Sequence, residues 1–377
     1  MSKRIAVLTN IVLPYRVALV QELQQRFENL RVFVNSLTEP EQTASDSSLP
    51  ICQQKTWTIN TKWRHPHRFT DDVAIRIPYD TWLQLRAFRP DVIVSGEMGA
   101  RTLLAAAYKR AEPRTRLVIW ATLSEATEQG RGILRPILRR ILLRTADAVM
   151  VNGESGARYI RRFGVPPASI IRVPQATELS GYLSGDTRRP AATRRRLLYS
   201  GRLIELKGLL PFFATLGKWA IAHPQRSVEF WIAGDGPLRE QIQQVSVPSN
   251  VGIRMLGHVP YDRLPEIYRQ CGVLAFPTLA DEWGMVVVES MAAGLPVLGS
   301  IHSQAVEELV QNQVNGWTFR PEEPADASRA LGEVFAASDE ILDEMGARAR
   351  NTVRDLTPIT MADRMEAAID YAITQGS

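Results

Sequence analysis

The chain has 377 residues, 45% of them hydrophobic and 23% charged, enough for two ordinary domains with separate cores and ordinary for a soluble globular protein. Two cysteines, Cys52 and Cys271, exclude a disulfide framework and suit a reducing cytoplasm, and no window approaches the length of a transmembrane helix. The net charge of +5 suits small anionic substrates or an anionic membrane surface, and no nucleic-acid partner is called for.

The chain opens with MSKRIAVLTNIVLPYR, two basic residues and then apolar ones. Asn10 and Pro14 interrupt the run and no small-residue cleavage site follows, so 4–8 reads as a first strand rather than a signal peptide. Strands at 30–34, 91–94, 117–120, 148–151 and 170–173 then alternate with helices at 16–27, 79–88, 100–111 and 133–144. That alternation predicts a parallel sheet covered on both faces. In RGILRPILRRILLRTADAVM, Arg131, Arg135, Arg139 and Arg140 alternate with Ile133, Leu134, Ile137, Leu138 and Ile141, and Pro136 suits a first helical turn. A basic amphipathic helix over 131–144 can lie on an anionic leaflet; core packing of its apolar residues, with the arginines as a rim, is the preferred reading.

Between the halves, LSGYLSGDTRRPAATRRR lacks apolar periodicity, and the linker is placed at 179–195. The second half repeats the alternation with strands at 196–199, 228–233, 252–256, 273–275 and 296–298. The fold class is therefore α/β, two doubly wound Rossmann-like domains at 1–178 and 196–356, with ligands expected at the carboxyl ends of the strands. A final segment, 357–377, carries a helix with Met365, Ala368 and Tyr371 on one face.

The densest chemistry lies in FPTLADEWGMVVVESMAAGLPVLGS, residues 276–300. It reads as a loop, a helix of about three turns and a buried strand, with Asp281 as N-cap, Gly294 as the C-terminal glycine and Pro296 just beyond. On such a helix Asp281 and Glu289 stand roughly two turns apart on one face. Gly284 would leave backbone N–H groups bare for an anion. A phosphate-bearing ligand with hydroxyls for the acids suits that pattern.

This segment resembles the acid–seven–acid signature of retaining glycosyltransferases of the nucleotide-sugar-dependent family 4, in its bacterial envelope and polysaccharide branch. The usual first acid is Glu; here Asp281 holds the slot with Glu282 next to it, and which carboxylate reaches the transferred sugar stays open. The resemblance implies the GT-B architecture, two domains facing across a cleft with the last helix returning to the first domain. It also implies that the Glu289 position holds ribose hydroxyls, as a carboxylate does well for a vicinal diol. A second motif, LLYSGRLIELKGL at 197–209, places Arg202 and Lys207 after a strand, a bidentate fork and a mobile point charge. In the resembling family these positions contact the donor diphosphate and stabilise its developing charge. FWIAGDGPLRE offers Gly234 and Gly236, which fail as a dinucleotide fingerprint because Arg239 holds the sixth position. They resemble the family turn near the nucleotide, or form a plain strand-to-helix turn. LGHVPYDRLPEIY resembles the segment beside the base, with His258 and Val259.

The pattern is weaker on the acceptor side. The first loop runs Asn10 to Arg16 where many members have paired glycines, and WATLSEATEQG has Ser124, Glu125 and Glu128 but no histidine. Arg16, Glu97 just past a strand, and Glu125 are the acceptor-side candidates. His65 and His67 lie two apart without cysteine or acid partners, the family needs no metal, and no cofactor is expected. The resemblance implies donor binding in the second domain and a glycan or lipid-linked acceptor in the first. That activity would sit in the cytoplasm or at the inner face of the membrane. A GT-B epimerase and a non-enzymatic nucleotide-sugar-binding subunit are the alternatives.

Overall fold

A computed structural model describes residues 3–35, 49–66, 69–132 and 134–375, the side chains of 71 and 72 aside. It separates into two compact units, Met1–Glu178 with Leu356–Ser377, and Leu179–Asp355.

In the first unit, β1 (Arg4–Thr9), β2 (Asn29–Val34), β3 (Ile51–Gln53), β6 (Val92–Gly96), β7 (Arg116–Ala121), β8 (Ala148–Val151) and β9 (Ile170–Arg172) form one parallel sheet in the order β3-β2-β1-β6-β7-β8-β9. Their near-continuous apolar runs reflect burial on both faces. Ile5 pairs with Leu30 on one side and Val92 on the other, and all three are buried. Helices Pro14–Arg26 and Pro358–Thr374 cover one face, packing Leu23, Met365 and Ala368 beside Val94 and Trp120. Arg26 ties the two helices through Asp363 (2.6 Å) and Glu366 (3.0 Å). Helices Thr81–Phe88, Ala100–Ala111 and Leu134–Leu143 supply Leu85, Ala105 and Leu142 to the other face.

Two strands of this unit stand outside that sheet. β4 (Thr56–Arg64) and β5 (Thr70–Pro78) form an antiparallel hairpin where no element is predicted. Trp57, Ile59 and Trp63 alternate with polar residues along β4, a strand signal that was passed over; Trp63 is buried while Trp57, Ile59 and Ile75 are exposed.

In the second unit, β10 (Leu197–Ser200), β11 (Val228–Ala233), β12 (Val251–Gly257), β13 (Val273–Phe276), β14 (Val297–Ser300) and β15 (Gly316–Phe319) form a parallel sheet in the order β12-β11-β10-β13-β14-β15. Tyr199, Phe213, Phe230, Trp317 and Phe335 fill its core. The stretch read as a linker packs into this unit. Arg189 is buried and donates to the carbonyls of Cys271 (2.9 Å) and Ala293 (2.6 Å), and Arg350 donates to Ala292 (3.0 Å). The two guanidiniums satisfy the carbonyls at the end of helix Met285–Ala292, a role for arginine that polar composition alone disguises as solvent exposure.

Each sheet changes direction at one point. β1 lies between β2 and β6, and β10 between β11 and β13, so loops leaving their carboxyl ends diverge there and open a crevice.

Candidate functional site

At the carboxyl edge of the second sheet, the loops after β10 and β11 are laced together. Gly201 N–H donates to the Ala233 carbonyl (3.0 Å), Leu203 N–H to Asp235 (2.9 Å) and Gly234 N–H to Gly257 (2.7 Å). Gly234 has φ +152°, and a Cβ there would lie 1.9 Å from the Gly201 carbonyl oxygen, so only glycine lets the loops cross. Held between them is Arg202, whose carbonyl accepts the Tyr199 hydroxyl (2.7 Å). Its side chain is exposed, and no described residue pairs with its guanidinium.

Lys207 ends the short turn Glu205–Lys207 that leads into helix Leu209–Ala222. Its ammonium pairs with the Asp281 carboxylate, and both side chains are largely buried. Asp281 sits in the loop after β13. Its Oδ1 accepts the Trp283 N–H (3.1 Å), and its own N–H donates to the His302 carbonyl (3.0 Å).

Asp281 is therefore not the helix N-cap. The helix begins at Met285, after Gly284 with φ 106°, and runs eight residues rather than three turns. The missing Gly284 side chain makes room for Ser303 and Phe276, whose atoms would lie 2.7 and 3.0 Å from a Cβ. Asp281 and Glu289 thus stand on different elements, and helical spacing does not relate them. Gly294 follows the last helical turn with φ +83°, as the C-terminal position requires.

Glu289 is 3% exposed, on a helix buried nearly all round rather than amphipathic. The Tyr268 hydroxyl donates to its Oε2 (3.1 Å). Burial pushes the carboxyl up to about 7 while the tyrosine hydrogen bond pulls it the other way. Tyr268, itself fully buried, is the site neighbour that sequence reasoning missed. Its only signal was an aromatic residue at the end of the segment that also holds His258. His258 is exposed just past β12, with Val259 half-buried beside it. Glu282 is exposed, and its carbonyl accepts Gln304 Nε2 (2.5 Å). Arg202, Lys207, Gly234, Gly236, His258, Asp281 and Glu282 all lie on loops leaving the carboxyl ends of β10 to β13.

The acceptor-side candidates lie in the first unit. Glu97, just past β6, has a left-handed φ of 66° and accepts Asn10 Nδ2 (2.5 Å) from the loop after β1. A non-glycine residue held there is strained, a feature that clusters at functional sites. Asn10 Oδ1 in turn accepts Arg101 and Asn35 Nδ2 (3.0 Å). Arg16 lies with its guanidinium 4.8 Å from the Trp120 ring centroid, and its Nε is buried without a hydrogen-bond partner. Glu125 is held by Arg158 (2.9 Å) and Arg162, so its charge is already balanced.

The basic helix turns out reversed. Buried Glu128 draws Arg135 (2.9 Å) and buried Arg139 (3.2 Å) inward, together with the Tyr159 hydroxyl (3.1 Å). A buried carboxylate demands such partners. Leu142 and Leu143 pack inside, whereas Leu134, Ile137 and Ile141 face solvent at 76%, 56% and 54% exposure beside exposed Arg140 and Arg144. The arginines are thus not all rim, and the apolar residues are not all core. Ile133 lies outside the described residues, as does His67; His65 is buried and stacks on Phe69 at 4.5 Å.

Comparison with known proteins places this geometry. A model of glycosyl transferases group 1 matches residues 194–336, and a glycosyl transferase 4-like domain model matches 13–176. The chain is 26% identical over 235 residues to the D-inositol 3-phosphate glycosyltransferase of Nocardia farcinica, covering 58% of this chain and 51% of that one. It is 27% identical over 279 residues to the 2-deoxystreptamine N-acetyl-D-glucosaminyltransferase of Streptomyces fradiae, covering 71% and 58%. The chain spans about half the length of the curated relatives it matches. Among solved structures, Anabaena HepE in complex with UDP aligns at TM-score 0.71 and 15% identity over 97% of this chain and 99% of that one. Sucrose-phosphate synthase from Thermosynechococcus elongatus aligns at 0.73 and 16% over 99% and 100%. At these identities the likeness is one of fold, the GT-B fold of two parallel-sheet α/β domains.

Proposed function

We infer the activity from the family: this chain belongs to the group 1, family 4-type glycosyltransferases of GT-B fold, and we propose that it moves a sugar from a nucleotide-diphosphate donor to a glycan or lipid-linked acceptor with retention. The observation that carries this reading is the Lys207–Asp281 pair at the point where the second sheet changes direction, with the unpaired Arg202 guanidinium on the adjoining loop. On donor binding Lys207 exchanges the aspartate for a phosphate oxygen, and Asp281 is released toward a sugar hydroxyl. Arg202 supplies a bidentate contact to the same diphosphate, and the two cations stabilise the charge that develops as the glycosidic bond breaks. That charge compensation supports turnover without an added metal ion. Glu289 is assigned the ribose hydroxyls.

UDP is the nucleotide to try first, because solved relatives of this fold carry it: HepE is described in complex with UDP and with UDP-glucose. An envelope glycan as product draws support from the fold neighbour described as a lipopolysaccharide outer core galactosyltransferase. The stripe of Leu134, Ile137 and Ile141 beside Arg140 and Arg144 supports peripheral contact with the anionic cytoplasmic leaflet.

The test is a thermal-shift screen of the purified chain against UDP-, GDP- and ADP-sugars without metal, followed by donor hydrolysis. One nucleotide class should raise the melting temperature, and the shift should shrink in Lys207→Ala. If no nucleotide sugar shifts the transition, the donor-site assignment fails.

A further inference from the structure

Glu128 is met by two arginines and Asp281 by a lysine, whereas buried Glu289 is met by a phenol alone. Tyr268 donates its hydroxyl to Oε2 at 3.1 Å, and no described residue forms an ion pair with the carboxylate. The other oxygen, Oε1, accepts from no described residue, yet it is not sealed from solvent. A buried carboxylate with one neutral donor is costly to keep ionised and stabilises the fold little. Open lone pairs on a reachable oxygen call for hydroxyl donors from outside the chain.

The phenol is itself held in place. Tyr268 lies on the helix Leu264–Arg269 with no exposed surface. Ser200, the last residue of β10 and two before Arg202, hydrogen-bonds its hydroxyl. Tyr182 meets its ring edge-on at 5.6 Å. The chain Ser200–Tyr268–Glu289 thus links the end of β10 to helix Met285–Ala292 within the second unit. Other elements packed on that helix bring Glu289 no charge partner. β13 and β14 carry no titratable residue, and Ser180–Leu183 brings Tyr182, which reaches Tyr261. On Asp339–Val353, Arg350 donates to the Ala292 carbonyl, as Arg189 does to Ala293, while Asp339 and Asp343 pair with Arg194. The other charged residues of that helix, and the acids of Gln304–Leu309, are exposed.

We propose that Tyr268 is a positioning residue for the donor's ribose: its hydroxyl pins Oε2 of Glu289 and turns Oε1 toward the vicinal diol. The same bond keeps the carboxylate charged. Burial pushes the carboxyl up to about 7 and the tyrosine opposes it, so without the phenol Glu289 holds its proton to a higher pH and loses acceptor capacity. Having no exposed surface, Tyr268 acts through Glu289, and its role rests on the donor reading.

The experiment is calorimetric titration of the full chain with UDP, GDP and ADP, and with the 2′,3′-dideoxy form of whichever binds, between about pH 6 and pH 9. The ratio of the two affinities isolates the diol, because base and phosphates, with their own titration, are common to both ligands. Wild type should prefer the ribose form by about tenfold or more. In Tyr268→Phe that preference should fall to about threefold or less, with dideoxy binding within about twofold of wild type. The pH at which the preference is half lost should also move up. Ser200→Ala, which loosens the phenol without touching Glu289, should shift both readouts the same way by less, and decides the matter where Tyr268→Phe does not fold. Preference and midpoint unmoved in a folded variant, or equal weakening of ribose and dideoxy forms as a packing defect would give, would overturn the positioning role alone. Binding of no nucleotide, or a wild type indifferent to the diol, would defeat the donor reading and the role of Tyr268 with it.

Discussion

Replacing Lys207 by alanine tests the donor-site reading most directly. The change removes one cation of the Lys207–Asp281 pair and leaves Asp281 with the Trp283 N–H as its remaining named partner. Because both side chains are largely but not fully buried and Asp281 keeps that hydrogen bond, the stability cost should be about 1–2 kcal/mol, below the full penalty of a stranded buried charge. The catalytic cost is separate. A fixed cation facing developing negative charge is worth about 3–4 kcal/mol, so kcat should fall roughly a hundredfold to a thousandfold at a temperature where the variant stays folded. The companion variant Asp281→Asn separates the two roles. It frees Lys207 from its internal partner, so UDP should bind more tightly while turnover drops, because the charged contact to the sugar hydroxyl is lost. Isothermal titration with UDP and steady-state kinetics on both variants decide the matter. If Lys207→Ala melts earlier yet turns over within twofold of wild type, the pair is only structural and the site assignment is wrong.

Glu289 gives a pH prediction. Its carboxyl is raised from 4.5 to about 7, chiefly by burial, so the folded state holds a proton that the unfolded state releases. The penalty is absent below about pH 4.5, accrues between the two values, and is complete above 7, where it amounts to at most about 3 kcal/mol. Glu289→Gln should therefore be more stable than wild type in urea melts at pH 8, with the advantage gone at pH 4, and a constant difference across that range would contradict the assignment. Gly234→Ala forces a Cβ to within 1.9 Å of the Gly201 carbonyl and should cost about 3 kcal/mol or more, read as a lowered urea midpoint. Ile137→Glu with Ile141→Glu should change stability by less than about 0.5 kcal/mol, since both side chains are exposed, yet abolish co-sedimentation with anionic vesicles. Unchanged sedimentation would remove the membrane contact. Glu97→Gln should lower turnover while UDP affinity stays the same, and equal losses in both would place Glu97 outside the acceptor side.

Which of these features could be read from sequence follows from how local each one is. Runs such as IAVL and VIV announce strands because burial on both faces leaves no room for polar residues, and the central strands of both sheets were legible on that ground, whereas the short edge strands β3 and β15 were not predicted. Nor was the hairpin at Thr56–Pro78, although Trp57, Ile59 and Trp63 alternate with polar residues along its first strand. Arg202, Lys207 and Asp281 were named from motifs, but their geometry was not. Asp281 looks like an N-cap because aspartate before an apolar run usually is one, whereas here Gly284 starts the helix and Asp281 spends its carboxylate on a lysine far back in the chain. The basic helix was misread in part: buried Glu128, just ahead of it, turns Arg135 and Arg139 inward, and an amphipathic pattern does not show which arginines a neighbouring buried acid will claim. Tyr268 under Glu289 is another pairing made by folding alone.

The two units share one topology and put different chemistry at the same place in it. Where β10 meets β13, the loops deliver Lys207 paired with Asp281, with the exposed Arg202 guanidinium, paired with no described residue, on the adjoining loop. Where β1 meets β6, they deliver Asn10 and Glu97, joined at 2.5 Å, with Glu97 held in a left-handed backbone and Asn10 oriented by buried Arg101. On the proposed reading the first arrangement would take a diphosphate, because charge-assisted hydrogen bonds from arginine and lysine are the strong contacts to phosphate. The second presents a carboxylate as an acceptor for hydroxyls, which is what a group receiving a sugar requires. Parallel sheets of this kind fix only where a ligand sits; the loop residues decide what it is. If the proposed function holds, the division between donor and acceptor rests on a few side chains at two equivalent strand ends, and exchanging the charge at either should change ligand choice without changing the fold.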